Sequence, residues 1–226
     1  LDLSSCTSIN DIAPLQTLTG LQSLNLRLCD TLTDIAALQA LTGLQSLDLR
    51  SRGSTIRDKG LTDIAALQAL TGLQSLSLKG CYALTDIAAL QALTGLQSLD
   101  ISWCTSITDI APLQTLTGLQ SLNLSWCKAL DIAPLQALTG LQSLNLSKCT
   151  SITDLSALCG LAALELLKLD GCPELADTEK WAPLWTLPRL KELDGAFPAH
   201  FKTHLLSWLA CDRQDTAYIK SHLSLS

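Results

Sequence analysis

The stretch Leu96–Gly118, LQSLDISWCTSITDIAPLQTLTG, is one unit of a pattern that fills most of this 226-residue chain. Its phrase LTGLQSL, followed by an apolar-x-apolar stretch, recurs with LQSL beginning at Leu21, Leu44, Leu73, Leu96, Leu119 and Leu141. A degraded copy, LAALELLKL, places its equivalent leucine at Leu164. Counted at the second leucine of each copy, from Leu24 to Leu167, the steps are 23, 29, 23, 23, 22 and 23 residues. A period in the twenties with leucines at fixed offsets predicts a solenoid, in which each unit buries its apolar side only against its neighbours.

Each unit divides into three parts. Leu119, Leu122 and Leu124 hold positions 1, 4 and 6 of their copy. One polar residue separates the last two, which places them on one face of a strand. In the following T-D-I-A-x-L-Q-x-L-T-G segment, Asp109 is placed as an N-cap, and Pro112 is tolerated in a first helical turn. Gly118 is placed as the C′ residue that turns the chain back toward the next strand. The expectation is an α/β solenoid with parallel strands on a concave face and short helices on a wider, convex one. Nine strands from Leu1 to Leu193, stacked at about 4.8 Å, span roughly 40 Å.

Composition agrees. The chain is 47% apolar but only 4% aromatic and contains no valine, a core vocabulary suited to thin stacked coils. The net charge of −6 argues against nucleic acid as a partner. No run of 18 apolar residues occurs, so no membrane span is expected, and no signal peptide is visible at the start. The chain lacks methionine and opens on Leu1-Asp2-Leu3, already the strand of a repeat. It therefore reads as a fragment without its N-terminal cap, expected to be monomeric, with the uncapped coil as a surface for end-to-end association.

These residues resemble the leucine-rich repeat family, whose pattern is LxxLxLxx(N/C)xx(L/I), over about 1–195. The ITDIAPLxxLTGLQSLNLS phrasing is similar to internalin-type bacterial repeats, and cysteine in place of asparagine is similar to the cysteine-containing subclass. The resemblance implies an arc that binds partners, usually proteins, on its concave face.

Cys6, Cys29, Cys81, Cys104, Cys127, Cys149 and Cys172 share one place, three residues after the strand's last apolar residue. Spacings of 22 or 23 do not supply the close pairs of a zinc site. Parallel side chains on adjacent coils also lie near the distance limit for a disulfide. An internal ladder of thiols in small apolar pockets is expected instead, which favours a reducing, cytoplasmic setting. Cys159, read as the replacement for the threonine of LTG, is assigned to packing.

The array departs from its rule in a few places. Extra residues after Leu49 put Arg52 at the ladder position, where a buried charge would be unpaired, so a basic loop with Arg52, Arg57 and Lys59 is expected to bulge outward. At Cys127–Asp131 the unit is one residue short. On the strand face, positions 3, 5, 7 and 8 are expected to point away from the core. Position 7 holds Arg27, Arg50 and Lys79 and then serines, while position 8 holds Trp103 and Trp126 on adjacent coils. A tryptophan pair beside cations is a candidate binding hot spot; copying of one unit into the next, with the rings shielding the strand edge, is the competing explanation.

After Cys172 the grammar changes, with aromatics and all three histidines in the tail. A helical C-terminal cap over 196–226 is expected to follow the array at 1–195. His200 and His204 share a helix face with Cys211, yet Phe201 stands where a zincin needs glutamate, so no metal is expected. No phosphate loop, nucleophile elbow or catalytic carboxylate pair is found, and no enzyme activity or cofactor is expected.

The function expected is a non-catalytic module that binds a protein partner through Arg27, Arg50, Lys79, Trp103 and Trp126, with the Arg52–Arg57–Lys59 loop alongside. The alternatives are a sensing or autoinhibitory arm of a larger signalling protein, and glycan binding by the tryptophan pair.

Overall fold

The computed structural model describes residues 1–51, 60–175, 181, 183–184 and 186–195. The loop residues Arg52, Arg57 and Lys59, the cap expected over 196–226, and His200, His204, Cys211 and His222 lie outside the described residues.

Short parallel strands form one open sheet: β1 (Ser23–Asn25), β2 (Ser46–Asp48), β3 (Ser75–Ser77), β4 (Ser98–Asp100), β5 (Ser121–Asn123), β6 (Ser143–Asn145), β7 (Leu166–Lys168) and β8 (Glu192–Asp194). They pair in chain order and in identical register, with Leu24, Leu47, Leu76 and Leu99 side by side. The strand expected at Leu1 is reduced to a single bridge between Asp2 and Asn25. The insertion after Leu49 leaves the register of β2 and β3 intact, because it falls beyond the strand.

Between strands run 3-10 segments, not α-helices: Ala13–Thr17, Ala36–Ala40, Ala65–Ala69, Ala88–Ala92, Ala111–Thr115 and Ala133–Ala137, with shorter ones at Ser156–Leu158 and Pro173–Leu175. The reason is in the leucines. Ile110, Leu113, Leu116, Leu119 and Leu122 recur every third residue, and a helix with three residues per turn lines up side chains at i and i+3. The hydrogen bonds keep this period: Leu113 N–H donates to Ile110 O at 3.0 Å, Leu116 to Leu113 at 2.9 Å and Leu119 to Leu116 at 2.9 Å. All five side chains are at most 1% exposed. One straight row of apolar residues thus runs from the 3-10 segment through the turn into the strand. Fully burying each leucine contributes about 1.5–3 kcal/mol.

Two local assignments change. Asp109 is not the N-cap; its Oδ1 accepts the N–H of Ala111 at 2.8 Å, while Ile110 occupies the cap without a side-chain bond. The aspartate therefore sets an Asx turn one residue earlier, as Asp11, Asp34, Asp63, Asp86, Asp131 and Asp154 do in their coils. Gly118 does not adopt a left-handed C′ conformation. The segment is capped at Leu116, and a Cβ on Gly118 would meet Thr94 O at 3.5 Å and Leu96 O at 4.0 Å, both ordinary contacts.

The short unit at Cys127–Asp131 is mended by a side chain from the next coil. Ser151 Oγ accepts the Leu130 N–H at 2.8 Å and donates to Leu130 O at 3.2 Å.

Cys159 also moves. Leu161 N–H bonds Leu158 O as Leu138 bonds Leu135, which aligns Cys159 with Gln136 and not with the threonine of LTG. It is exposed, and its thiol donates to Pro183 O at 3.8 Å.

Candidate functional site

The strand face begins with a polar scaffold. Position 5 carries Asp or Asn in most coils, and each bonds the backbone N–H two residues on. Asn25 Oδ1 accepts from Arg27, Asp100 from Ser102, Asn123 from Ser125 and Asn145 from Ser147, at 2.9–3.1 Å. That N–H lies where the sheet ladder leaves off, so these side chains satisfy the strand end. Ser77 and Lys168 are the exceptions, and the buried Ser77 Oγ has no hydrogen-bond partner.

The cationic column is less uniform than the residue types suggest. Arg27 is exposed, and Lys79 is half-buried. The Arg50 guanidinium is held by Asp48 of its own strand, with Nε 2.9 Å from Oδ2 and Nη2 on the same oxygen. That carboxylate raises the Arg50 pKa further. Arg27 and Lys79 have no ion-pair partner among the described residues.

In the next coils, position 7 turns inward. Ser102 is 1% and Ser125 8% exposed, and they are the buried polar residues of the described core. The expectation that position 7 points away from the core therefore holds for the long cations and fails for these two. Each directly precedes a tryptophan.

Trp103 and Trp126 stack face to face, with ring centroids 4.2 Å apart and planes at 16°. Both are half-buried, not freely exposed. Their backbones are left-handed, with φ of 65° and 67°. Position 8 is left-handed in the regular coils generally: Ser5, Leu28 and Lys148 share it, and Gly80 and Gly171 supply it where the chain chose glycine. A residue with a Cβ in this conformation costs roughly 1–2 kcal/mol, so two adjacent tryptophans here are retained against a local penalty. The Trp103 N–H continues the ladder, donating to Ser125 O at 2.8 Å.

Beneath the face lie the thiols. Cys29, Cys81, Cys104, Cys127, Cys149 and Cys172 are buried, whereas Cys6 is exposed. Burial pushes the Cys81 and Cys127 thiols up to about 12, and it raises Cys104 and Cys149 further. These groups stay neutral at physiological pH and are not nucleophiles. Among the described residues no set of three or more His, Cys, Asp or Glu side chains is placed to hold a metal. Concavities lie between successive 3-10 segments, such as one of about 440 Å³ lined by Asp34, Gln39, Asp63 and Gln68. No helix among the described residues is long and apolar enough to cross a membrane.

No protein-family model and no curated protein matches the chain. Solved structures do. An internalin (inlF) from Listeria monocytogenes is 30% identical, with a TM-score of 0.63 over 84% of this chain and 58% of that one. This chain therefore spans just over half of that relative's length. Internalin C2 (inlC2) from the same organism is 26% identical, with a TM-score of 0.70 over 87% of this chain and 80% of that one. TLR13, solved in complex with ssRNA13, is 28% identical, with a TM-score of 0.61 over 81% of this chain and 26% of that one. With the in-register parallel strands, the prevailing 23-residue step and the cysteine that follows most of the strands, these likenesses place the chain in the leucine-rich repeat family.

Proposed function

We propose that this chain is a non-catalytic protein-binding module whose recognition surface is the strand face centred on Trp103 and Trp126. The stacked pair is the observation that carries the reading. Two stacked indoles held in left-handed positions, each directly after a buried serine, form a rigid apolar platform, and rigid aromatic platforms are where binding energy concentrates. Arg27 and Lys79, without ion-pair partners among the described residues, belong to the same column, Lys79 one coil from Trp103 and Arg27 three, with Arg50 between them steadied by Asp48. Arg52, Arg57 and Lys59 follow Arg50 in sequence and belong to the proposal as a second basic element. A partner that offers an apolar anchor to the rings and acidic groups to the cations fits this surface.

The chain's net charge of −6 and the neutralised Arg50 favour protein over nucleic acid as the ligand. Free thiols at Cys6 and Cys159 support a reducing, cytoplasmic setting as part of the same reading. The test is affinity capture from an extract of the source cells on immobilised wild type and on the Trp103→Ala/Trp126→Ala variant. A partner retained by the first and missing from the second is expected; identical captures would end the proposal.

A further inference from the structure

A second repetitive surface lies away from the tryptophans. At the turn between each 3-10 segment and the next strand, Thr19, Thr42, Thr71, Thr94, Thr117 and Thr139 hold one position in successive coils. A glutamine stands three residues before and three residues after every one of them, from Gln16 and Gln22 to Gln136 and Gln142. All are exposed. None of these carboxamides or hydroxyls makes a hydrogen bond within the described residues.

The columns are straight. Gln45 N–H donates to Gln22 O at 2.8 Å, and the same bond recurs from coil to coil until Gln142 meets Gln120. A Cβ on Gly43 would lie 3.1 Å from Thr19 O and one on Gly140 3.3 Å from Thr117 O, so these two turns are closely stacked on the preceding ones. The strip is uncharged, although the chain carries −6; the aspartates of each unit lie at the opposite end of the 3-10 segment.

Copying alone does not account for it. The units have diverged at the strand exit, where Arg27-Leu28, Lys79-Gly80, Ser102-Trp103 and Ser147-Lys148 correspond. The insertion after Leu49 and the deletion after Cys127 fall there too. The Gln–Thr–Gln pattern persists unchanged until the coil that leads into β7, where Cys159, Ala162 and Glu165 replace it. Burial explains the leucines, and it does not explain exposed glutamines and threonines.

We infer that this edge binds a neutral, linear polysaccharide lying along the solenoid axis. Carboxamides and hydroxyls both donate and accept, which suits hydroxyl groups and offers nothing to an ionic ligand. Charge excludes polyanions, which an acidic chain repels. Identical sites repeated at a pitch of about 4.8 Å match a ligand with a repeat of its own, and that pitch is comparable with one sugar unit of an extended chain. Each contact is weak, but linked sites on one polymer add through effective concentration. The inference is independent of the tryptophan site.

The test is co-sedimentation of the full chain with insoluble cellulose, chitin and β-1,3-glucan, with polygalacturonate as the anionic control. Retention on a neutral glycan is expected, reduced at least tenfold by Thr71→Glu/Thr94→Glu and unchanged by Trp103→Ala. Thermal melting confirms the fold of the variant; if it fails to fold, Gln74→Glu/Gln97→Glu takes its place. Four results would overturn the inference: no retention on any neutral glycan, retention indifferent to the strip, retention lost with Trp103→Ala, or sedimentation velocity showing self-association through the strip.

Discussion

The thiol of Cys104 donates to the carbonyl of Leu78, one coil earlier, at 3.2 Å. Cys127 repeats the relation with Ile101, Cys149 with Leu124 and Cys172 with Leu146, at 3.2–3.3 Å. Each turn is thereby tied to the end of the preceding strand. Cys104→Ala removes that bond and leaves a small void, and should lower the unfolding free energy by about 1–3 kcal/mol in urea titrations. Cys6→Ala, at an exposed thiol, should stay within about 0.5 kcal/mol of wild type.

The same ladder sets an alkaline limit. The buried thiols titrate higher folded than unfolded, Cys81 and Cys127 at about 12 against an ordinary 9.0. Above pH 9 the unfolded chain has released protons that the folded chain retains, so rising pH favours unfolding. Stability from this source is complete below about pH 8 and declines between pH 9 and 12, by up to about 1.4 kcal/mol per pH unit for each thiol. Denaturant midpoints across pH 7–11 check this; a midpoint flat to pH 11 would contradict the buried ladder.

Two glycines should respond differently to alanine. Gly80 has φ of +77°, and a Cβ there would lie 2.5 Å from Ser51 O. Gly80→Ala should cost about 2 kcal/mol or more, from strain and the backbone clash together. Gly118 lies outside the left-handed region, with its nearest contact at 3.5 Å, so Gly118→Ala should change stability by less than about 1 kcal/mol. Thermal melts of the pair distinguish the two environments.

Charge should govern how fast a partner arrives. With Arg27→Glu and Lys79→Glu combined, association with an acidic partner should slow about tenfold at low salt and lose most of its salt dependence, with dissociation little changed. Stopped-flow or surface-plasmon measurements over an ionic-strength series read both. Unchanged association would remove the cations from the site.

Much of the fold was legible because a solenoid repeats its grammar. The leucines, the strand register and the buried cysteines followed from spacing alone. The 3-10 segments were also written in the chain, in the three-residue step from Ile110 to Leu122, but a capping reading of Asp109 and Gly118 obscured it. Gly80 and Gly171 signalled a left-handed position 8, which fixes how Trp103 and Trp126 sit. The Asp48–Arg50 pair was foreseeable from two residues on one strand face. The burial of Ser102 and Ser125 was not, since position 7 carries exposed or half-buried cations in other coils. The alignment of Cys159 needed the hydrogen bonds, because LCGL imitates LTGL.

The most direct test of the account is the affinity of the captured partner for wild type and for Trp103→Ala, measured by isothermal titration calorimetry at fixed salt. A hot-spot ring is worth about 2 kcal/mol or more, so Kd should rise about thirtyfold while the melting temperature stays near wild type. A Kd unchanged within twofold would contradict the placement of the binding surface on the stacked tryptophans.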